Sequence, residues 1–374
     1  MGEKTTTHRM GPLKVGIHGN NNFADLVRDE AGEKIDRNSS SDVLFHFESG
    51  SFDRGFKPDY YCGGNFSFNS TDICVDEGGY RYHTDGLFSE GKTEVFVEFN
   101  PSKSATDRAV NFLRWFLSPS NTVGLERTKT RFCSYTTFWP LIHLELLSSD
   151  SAFIHASVVD DGETGIVVSG TGGSGKTSTT FELLKDTGCR YLSEDFGIVS
   201  NTGKSFRSPR FATIYHSDYQ YGQPHLVRYV DNKLTGIDKM HWNMQVRRGA
   251  NPRRKTPPEM ILGKEKTANT TELGYGFYVL RENTDSVKLR KIGTEEFVER
   301  SLWASFRELK RFYDLLCQTR AVGADSVEIP SINRLIDRTR EIYIGCFDGV
   351  ETYLLNVPED GTPADVVEKI CAVK

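Results

Sequence analysis

Residues 165–186 read "GIVVSGTGGSGKTSTTFELLKD". An apolar run feeds a glycine-rich turn, and the turn feeds a stretch with helical spacing, which leaves this part of the chain little choice of fold. Gly170, Gly175, Lys176 and Thr177 fill the spacing G-x-x-x-x-G-K-[ST]. Glycines let the backbone turn its N–H groups inward, and a helix N-terminus behind them adds partial positive charge. The segment Gly170, Thr171, Gly172, Gly173, Ser174, Gly175, Lys176, Thr177 and Ser178 is therefore expected to cradle the phosphates of a nucleoside triphosphate. In such a loop the lysine (Lys176) reaches the β- and γ-phosphates and the hydroxyl (Thr177) sits on Mg²⁺.

The residues on either side narrow the chemistry. Ahead of the loop, "AFIHASVVD" reads as a strand and "DGETG" as a tight turn, so the two strands should form an antiparallel hairpin. His155 would then lie near the sheet edge that faces the nucleotide; a half-buried structural histidine is the other reading. Behind the loop, the helix should end at Gly188. The strand "RYLS" then runs into Glu194–Asp195, the place for an acid that holds Mg²⁺. A second, adjacent carboxylate could take a proton from an acceptor hydroxyl.

Composition sets outer bounds. The chain has 374 residues, which at ~150 per domain points to two domains. Its 46 basic and 51 acidic residues are well mixed and give a net charge of −5, which argues against a nucleic-acid binder. The seven cysteines form no C-x-x-C pair, so neither a zinc ribbon nor a redox motif is supported, and thiols in a reducing cytoplasm are expected. No apolar stretch approaches the ~18 residues of a membrane span, so no membrane partner is expected.

Along the chain, the first nine residues read as disordered and 11–18 as a strand, with a loop or short helix over 19–41. Strands follow between 42 and 99, then helices over 105–118 and 135–148, the second interrupted by Pro140. Residues 1–130 are thus expected to form a small α+β domain and 131–374 the catalytic domain. Within the latter, 216–260 reads as surface loops with a helix and 275–281 as a buried strand. The end, 341–373, reads strand, strand, helix. Arg247, Arg248, Arg253 and Arg254 are candidates for holding an acceptor or the transferring group, with a solvated basic loop as the alternative.

Over residues 153–200 the sequence resembles the HPr kinase/phosphatase family, whose relatives share the PEP-carboxykinase-like P-loop fold. The features that carry the resemblance are the histidine strand, the turn, the apolar strand, the glycine loop, the helix and the strand ending in two acids. The resemblance implies an α/β fold with a mixed sheet. It implies Glu194 as catalytic base, His155 as its partner, Asp195 with Thr177 at the metal, and Lys176 on the phosphates. Glu194 departs from the more usual Asp. The glycine-rich signature of bacterial HPr kinases after the paired acids is absent, so the resemblance does not extend to HPr as substrate.

The expected activity is therefore a cytoplasmic kinase that uses ATP and Mg²⁺ to phosphorylate a hydroxyl on a protein, peptide or small molecule. The alternatives are an ATPase switch and a silent nucleotide-binding regulator. A homo-oligomer is left open.

Overall fold

The computed structural model describes all residues except 1–4, 32–33, 36–39, 50–55, 64, 77–79, 90, 100–104, 119–133, 187, 221–222 and 323–327. The expected domain boundary at 130 falls outside the described residues. The chain is mixed α/β and divides into two compact units. One comprises 1–114, 128–149 and 309–338; the other comprises 115–127, 150–308 and 339–374.

The first unit is built on a nine-stranded sheet in the order β3-β1-β2-β4-β9-β8-β7-β6-β5. The strands are β1 (Thr5–Met10), β2 (Leu13–His18), β3 (Lys34–Ile35), β4 (Val43–Ser49), β5 (Tyr60–Cys62), β6 (Phe66–Phe68), β7 (Ile73–Asp76), β8 (Tyr80–Asp85) and β9 (Thr93–Phe99). The alternation in "DVLFHF" and "TEVFVEF" puts Val43, Phe45 and Phe47, and Val95 and Val97, into the core. The disorder expected over the first nine residues is corrected for 5–9, which belong to β1. Threonines suit a pleated strand, and the buried polar groups there are paired. His8 Nε2 lies 3.0 Å from Thr6 Oγ1, and Arg28 Nε donates to the same hydroxyl at 3.2 Å. The helical run does change type beside Pro140: a π-helical turn, Ser134–Phe138, passes directly into an α-helix. Pro140 sits in the first turn of the α-helix Trp139–Ser148, just past that junction.

His143 lies on that helix and is buried, which lowers its pKa to about 3. The ordinary value is ~6.5, so between the two values the unfolded chain binds more protons and stability falls as pH falls. At roughly 1.4 kcal/mol per unit, the loss at pH 4 is a few kcal/mol. Thermal unfolding of His143→Gln should depend less on pH between 6.5 and 4 than that of the parent chain. Parallel pH dependences would refute this.

The second unit has a nine-stranded mixed sheet. Its main order is β10-β14-β15-β18-β12-β11-β13, and β20 lies between β18 and β19. The strands are β10 (Ser151–Ile154), β11 (Ala156–Asp160), β12 (Gly165–Gly170), β13 (Arg190–Ser193), β14 (Gly197–Ser200) and β15 (Lys204–Phe206). A separate two-stranded ribbon pairs β16 (Ala212–Tyr215) with β17 (Arg253–Thr256). β18 (Thr270–Arg281), β19 (Lys288–Lys291) and β20 (Glu351–Val357) complete the set. β11 and β12 form the expected antiparallel hairpin, with Ala156 opposite Ser169 and Asp160 opposite Gly165. β12, β18 and β20 are parallel neighbours, so their C-terminal ends share one edge.

Every residue of β12 is buried, as expected for a strand covered on both faces. Ile166 and Val168 share a core with Phe181 and Leu184 of the helix Lys176–Asp186. Burial of each such side chain contributes about 1.5–3 kcal/mol. On β18 a Cβ at Gly276 would lie 3.0 Å from the Phe297 ring, so glycine lets the helix Thr294–Glu308 sit close.

Three expectations in this unit are corrected. "AFIHASVVD" is two strands: β10 pairs with β14 and β11 with β12, and the break falls at His155. Residues 216–260 contain two helices, Pro224–Lys233 and Gly236–Arg247, whose Leu226, Val230 and Trp242 enter the core. Residues 341–346 are not a strand but the end of the helix Ile332–Cys346. Among the described residues, no helix is long and apolar enough to cross a membrane.

Candidate functional site

The glycine loop leaves the C-terminal end of β12 and turns into the helix Lys176–Asp186. Its shape requires glycine at two points. A Cβ at Gly170 would stand 2.6 Å from Val279 O, and Gly175 has φ +100°. Lys176 is buried and its Nζ donates to Gly170 O at 2.8 Å and Thr171 O at 3.0 Å. The ammonium also lies 3.0 Å from His155 Nε2.

That contact fixes the imidazole. His155 Nδ1 is 2.9 Å from Asp195 O, a carbonyl that can only accept, so the proton sits on Nδ1 and Nε2 accepts from Lys176. Burial first, and Lys176 second, lower the His155 pKa to about 4, so it is neutral at pH 7. The break between β10 and β11 is pinned by His155 N donating to Ser305 Oγ at 2.8 Å.

Glu194 and Asp195 follow β13 and point to different corners because the chain turns sharply between them. Phe196 N donates to Glu194 O at 2.9 Å, and Asp195 has φ +73°, the strained form of a γ-turn. Holding a non-glycine residue there costs of the order of 1–3 kcal/mol. Glu194 is buried; its Oε1 accepts from Thr177 Oγ1 at 2.5 Å and its Oε2 from Thr213 N at 3.1 Å. Burial, and then the neighbouring Asp195 charge, push its pKa up. Asp195 has Arg210 3.1 Å from Oδ2, and its Oδ1 is 3.4 Å from Nδ1 of the neutral His155. Burial alone would raise this carboxyl. Arg210 first, then His155, Lys255 and Lys176, hold it well below the usual range instead. The resemblance put Thr177 and Asp195 together at a metal, but the Thr177 hydroxyl rests on Glu194.

These groups open on a cleft of about 390 Å³, lined by Gly172, Gly173, Gly175 and Ser178 as well as His155, Lys176, Thr177, Glu194 and Asp195. Tyr215, Asp218 and Arg281 close its other sides. Burial raises the Asp218 pKa to about 6; the carboxylate accepts from Tyr215 N at 2.8 Å. The four arginines singled out by sequence do not line this cleft. Arg254 is ion-paired with Asp238 at 3.0 Å, Arg253 bonds Tyr215 OH, Arg248 bonds Leu117 O, and Arg247 is exposed.

Arg210, Asp218, Arg281 and Glu308 are the charged neighbours that sequence reading missed. Glu308 Oε1 is 3.9 Å from His155 Nε2. Arg281 carries a readable signal as the last residue of the buried run "GYGFYVLR". Arg210, in "SPRF", carries none.

A glycine loop opening onto a helix N-terminus, with an ammonium beside it, suits an anion. A hydroxyl beside a carboxylate with no cation in hydrogen-bonding contact suits a hard divalent cation, which takes few protein ligands when phosphates and waters supply the rest. Among the described residues, no cluster of three or more His, Cys, Asp or Glu forms a dedicated metal cage.

No protein-family model and no curated protein matches the chain. Among solved structures it is similar to the HPr(Ser) kinase/phosphatase from Coxiella burnetii, over 59% of this chain and 96% of that one. The sequence identity is 10% and the TM-score 0.28, a distant structural resemblance.

Proposed function

We infer that this chain is an ATP-dependent phosphotransferase that phosphorylates a hydroxyl on a protein, peptide or small molecule. The observation that carries the reading is the convergence on one cleft of the loop lysine, the loop threonine and two adjacent acids in different settings. The PEP-carboxykinase-like character of the P-loop domain belongs to the same inference and rests on the order of motifs from His155 to Asp195.

The loop N–H groups and Lys176 bind the phosphates and neutralise their charge. Thr177 and Glu194 would hold Mg²⁺, which screens phosphate charge when bound. This exchanges the two acids relative to the order the resemblance implied. Its support is the Thr177–Glu194 hydrogen bond and the cations already around Asp195. Asp195, oriented by His155 and Arg210, takes the proton of the acceptor hydroxyl. The new P–O bond forms to that oxygen as the bond to the leaving nucleoside diphosphate breaks. Little basicity is required, because the transition state is loose and catalysis is mostly positioning and charge stabilisation. The strain at Asp195 favours this reading over a silent regulator, which has no use for a second acid held at positive φ.

The test is incubation with ATP radiolabelled at the γ-phosphate, Mg²⁺, a panel of hydroxyl metabolites and cell extract. Label should appear in an organic acceptor. Label found only in inorganic phosphate would leave an ATPase and sink the kinase reading.

A further inference from the structure

A second cleft, of about 700 Å³, lies between residues 281–284 and 358–360 and shares Arg281 with the cleft at the glycine loop. Three parallel strands set this layout. β12 ends in the loop at Gly170, β18 ends at Arg281, and β20 ends at Val357 opposite Arg281. At the usual spacing of about 4.8 Å per strand, the ends of β12 and β20 lie roughly 10 Å apart. Ligands of α/β sheets settle in the crevice outside such carboxyl ends.

Arg281 stands at the junction of the two clefts. Its Nη1 donates to Pro358 O at 2.6 Å, Gly361 O at 3.0 Å and Glu359 O at 3.3 Å. Its Nη2 faces the loop, 3.2 Å from where a Cβ on Gly175 would be. One edge of the guanidinium is thus fixed to the end of β20 while the other is presented to the loop. Beyond Arg281, the lining of the second cleft carries carboxylates and, among the described residues, no further cation. Lys176 lies on the loop side, and Glu282, Glu359 and Asp360 line the far cleft. Carboxylates repel phosphate oxygens but accept hydrogen bonds from sugar hydroxyls and base amino groups.

We propose that the second cleft is the nucleoside subsite for the nucleotide held at the glycine loop, with Arg281 placed at the phosphate–ribose junction. This rests on the nucleotide reading above. It makes Arg281 a binding residue that lysine cannot replace, because one point charge cannot hold the carbonyls of 358–361 after β20 and face the loop together.

The experiment measures Mg²⁺-dependent binding of ATP and of inorganic triphosphate by calorimetry, for the parent chain, Arg281→Lys and Asn283→Trp. Asn283 is an exposed residue lining the cleft, and a tryptophan there would fill it without touching the core. The parent should bind ATP at least about tenfold tighter than triphosphate, the equivalent of ~1.4 kcal/mol. Asn283→Trp should bring ATP down to the triphosphate level and leave triphosphate binding unchanged. Arg281→Lys should weaken ATP about tenfold and triphosphate less. Equal affinity of the parent for the two ligands, or no effect of Asn283→Trp, would overturn the subsite while leaving the phosphate loop standing. Binding of neither ligand to the parent would remove the nucleotide reading and the subsite with it.

Discussion

Lys176→Ala is expected to weaken ATP binding by on the order of 100-fold or more while the protein stays folded. Truncating one member of a desolvated charged contact costs about 2–5 kcal/mol, and each 1.4 kcal/mol is tenfold. Lys176 is 7% exposed, and its ammonium bonds only loop carbonyls and His155 in the hydrogen bonds above. Its role in the fold is therefore local. Lys176 is also the second cause, after burial, of the lowered His155 pKa. Removing the ammonium should raise that pKa, and histidine NMR titration reads the shift independently of any ligand. ATP binding within threefold of the parent, measured on a variant with normal thermal unfolding, would show that the loop does not hold phosphate through this lysine.

The parts of the second unit that are legible in the sequence are those fixed by local chemistry. The hairpin of β11 and β12 follows from "DGETG" between two apolar runs, and the helix after the loop ends near Gly188, which has φ +75°. Where several local patterns fit, the sequence misleads. "EIYIGCF" is a short apolar run that reads like a strand, yet Leu335, Thr339, Ile342, Tyr343 and Cys346 are buried while Ile344 is 44% exposed, which is helical spacing. The signal lies in the whole turn sequence from 332 and not in the last nine residues. Gly345 there lets the helix meet Asn201 O, which a Cβ would approach to 2.8 Å.

At the site, Arg210 is 15 positions from its partner Asp195 in the sequence and is brought back by the path through β14 and β15. No local pattern encodes such a pairing. Arg254 is the converse. An arginine-rich stretch suggested a ligand clamp, but the helix Gly236–Arg247 supplies Asp238 to neutralise it.

Glu194→Gln and Asp195→Asn should fail in different ways. Glu194 accepts from Thr177 and has no cation in hydrogen-bonding contact, which is why burial pushes its carboxyl up. A divalent cation at Thr177 relieves that cost, so Glu194→Gln should lose most of the gain in ATP affinity that Mg²⁺ brings, and with it transfer. Asp195 already has Arg210 and His155. Asp195→Asn should therefore keep Mg²⁺-dependent ATP binding within a few fold and lower phosphoryl transfer by about 10²–10⁴, the range for loss of a positioned proton acceptor. Calorimetry with and without Mg²⁺, beside the transfer assay, separates the two variants. The reverse pattern, with Mg²⁺ dependence lost in Asp195→Asn and kept in Glu194→Gln, would return the base to Glu194 and the metal to Asp195. The sharp turn at φ +73° makes the separation interpretable, because it keeps each carboxyl in its own corner. Asparagine tolerates that backbone as well as aspartate does, so Asp195→Asn removes the charge without releasing the turn.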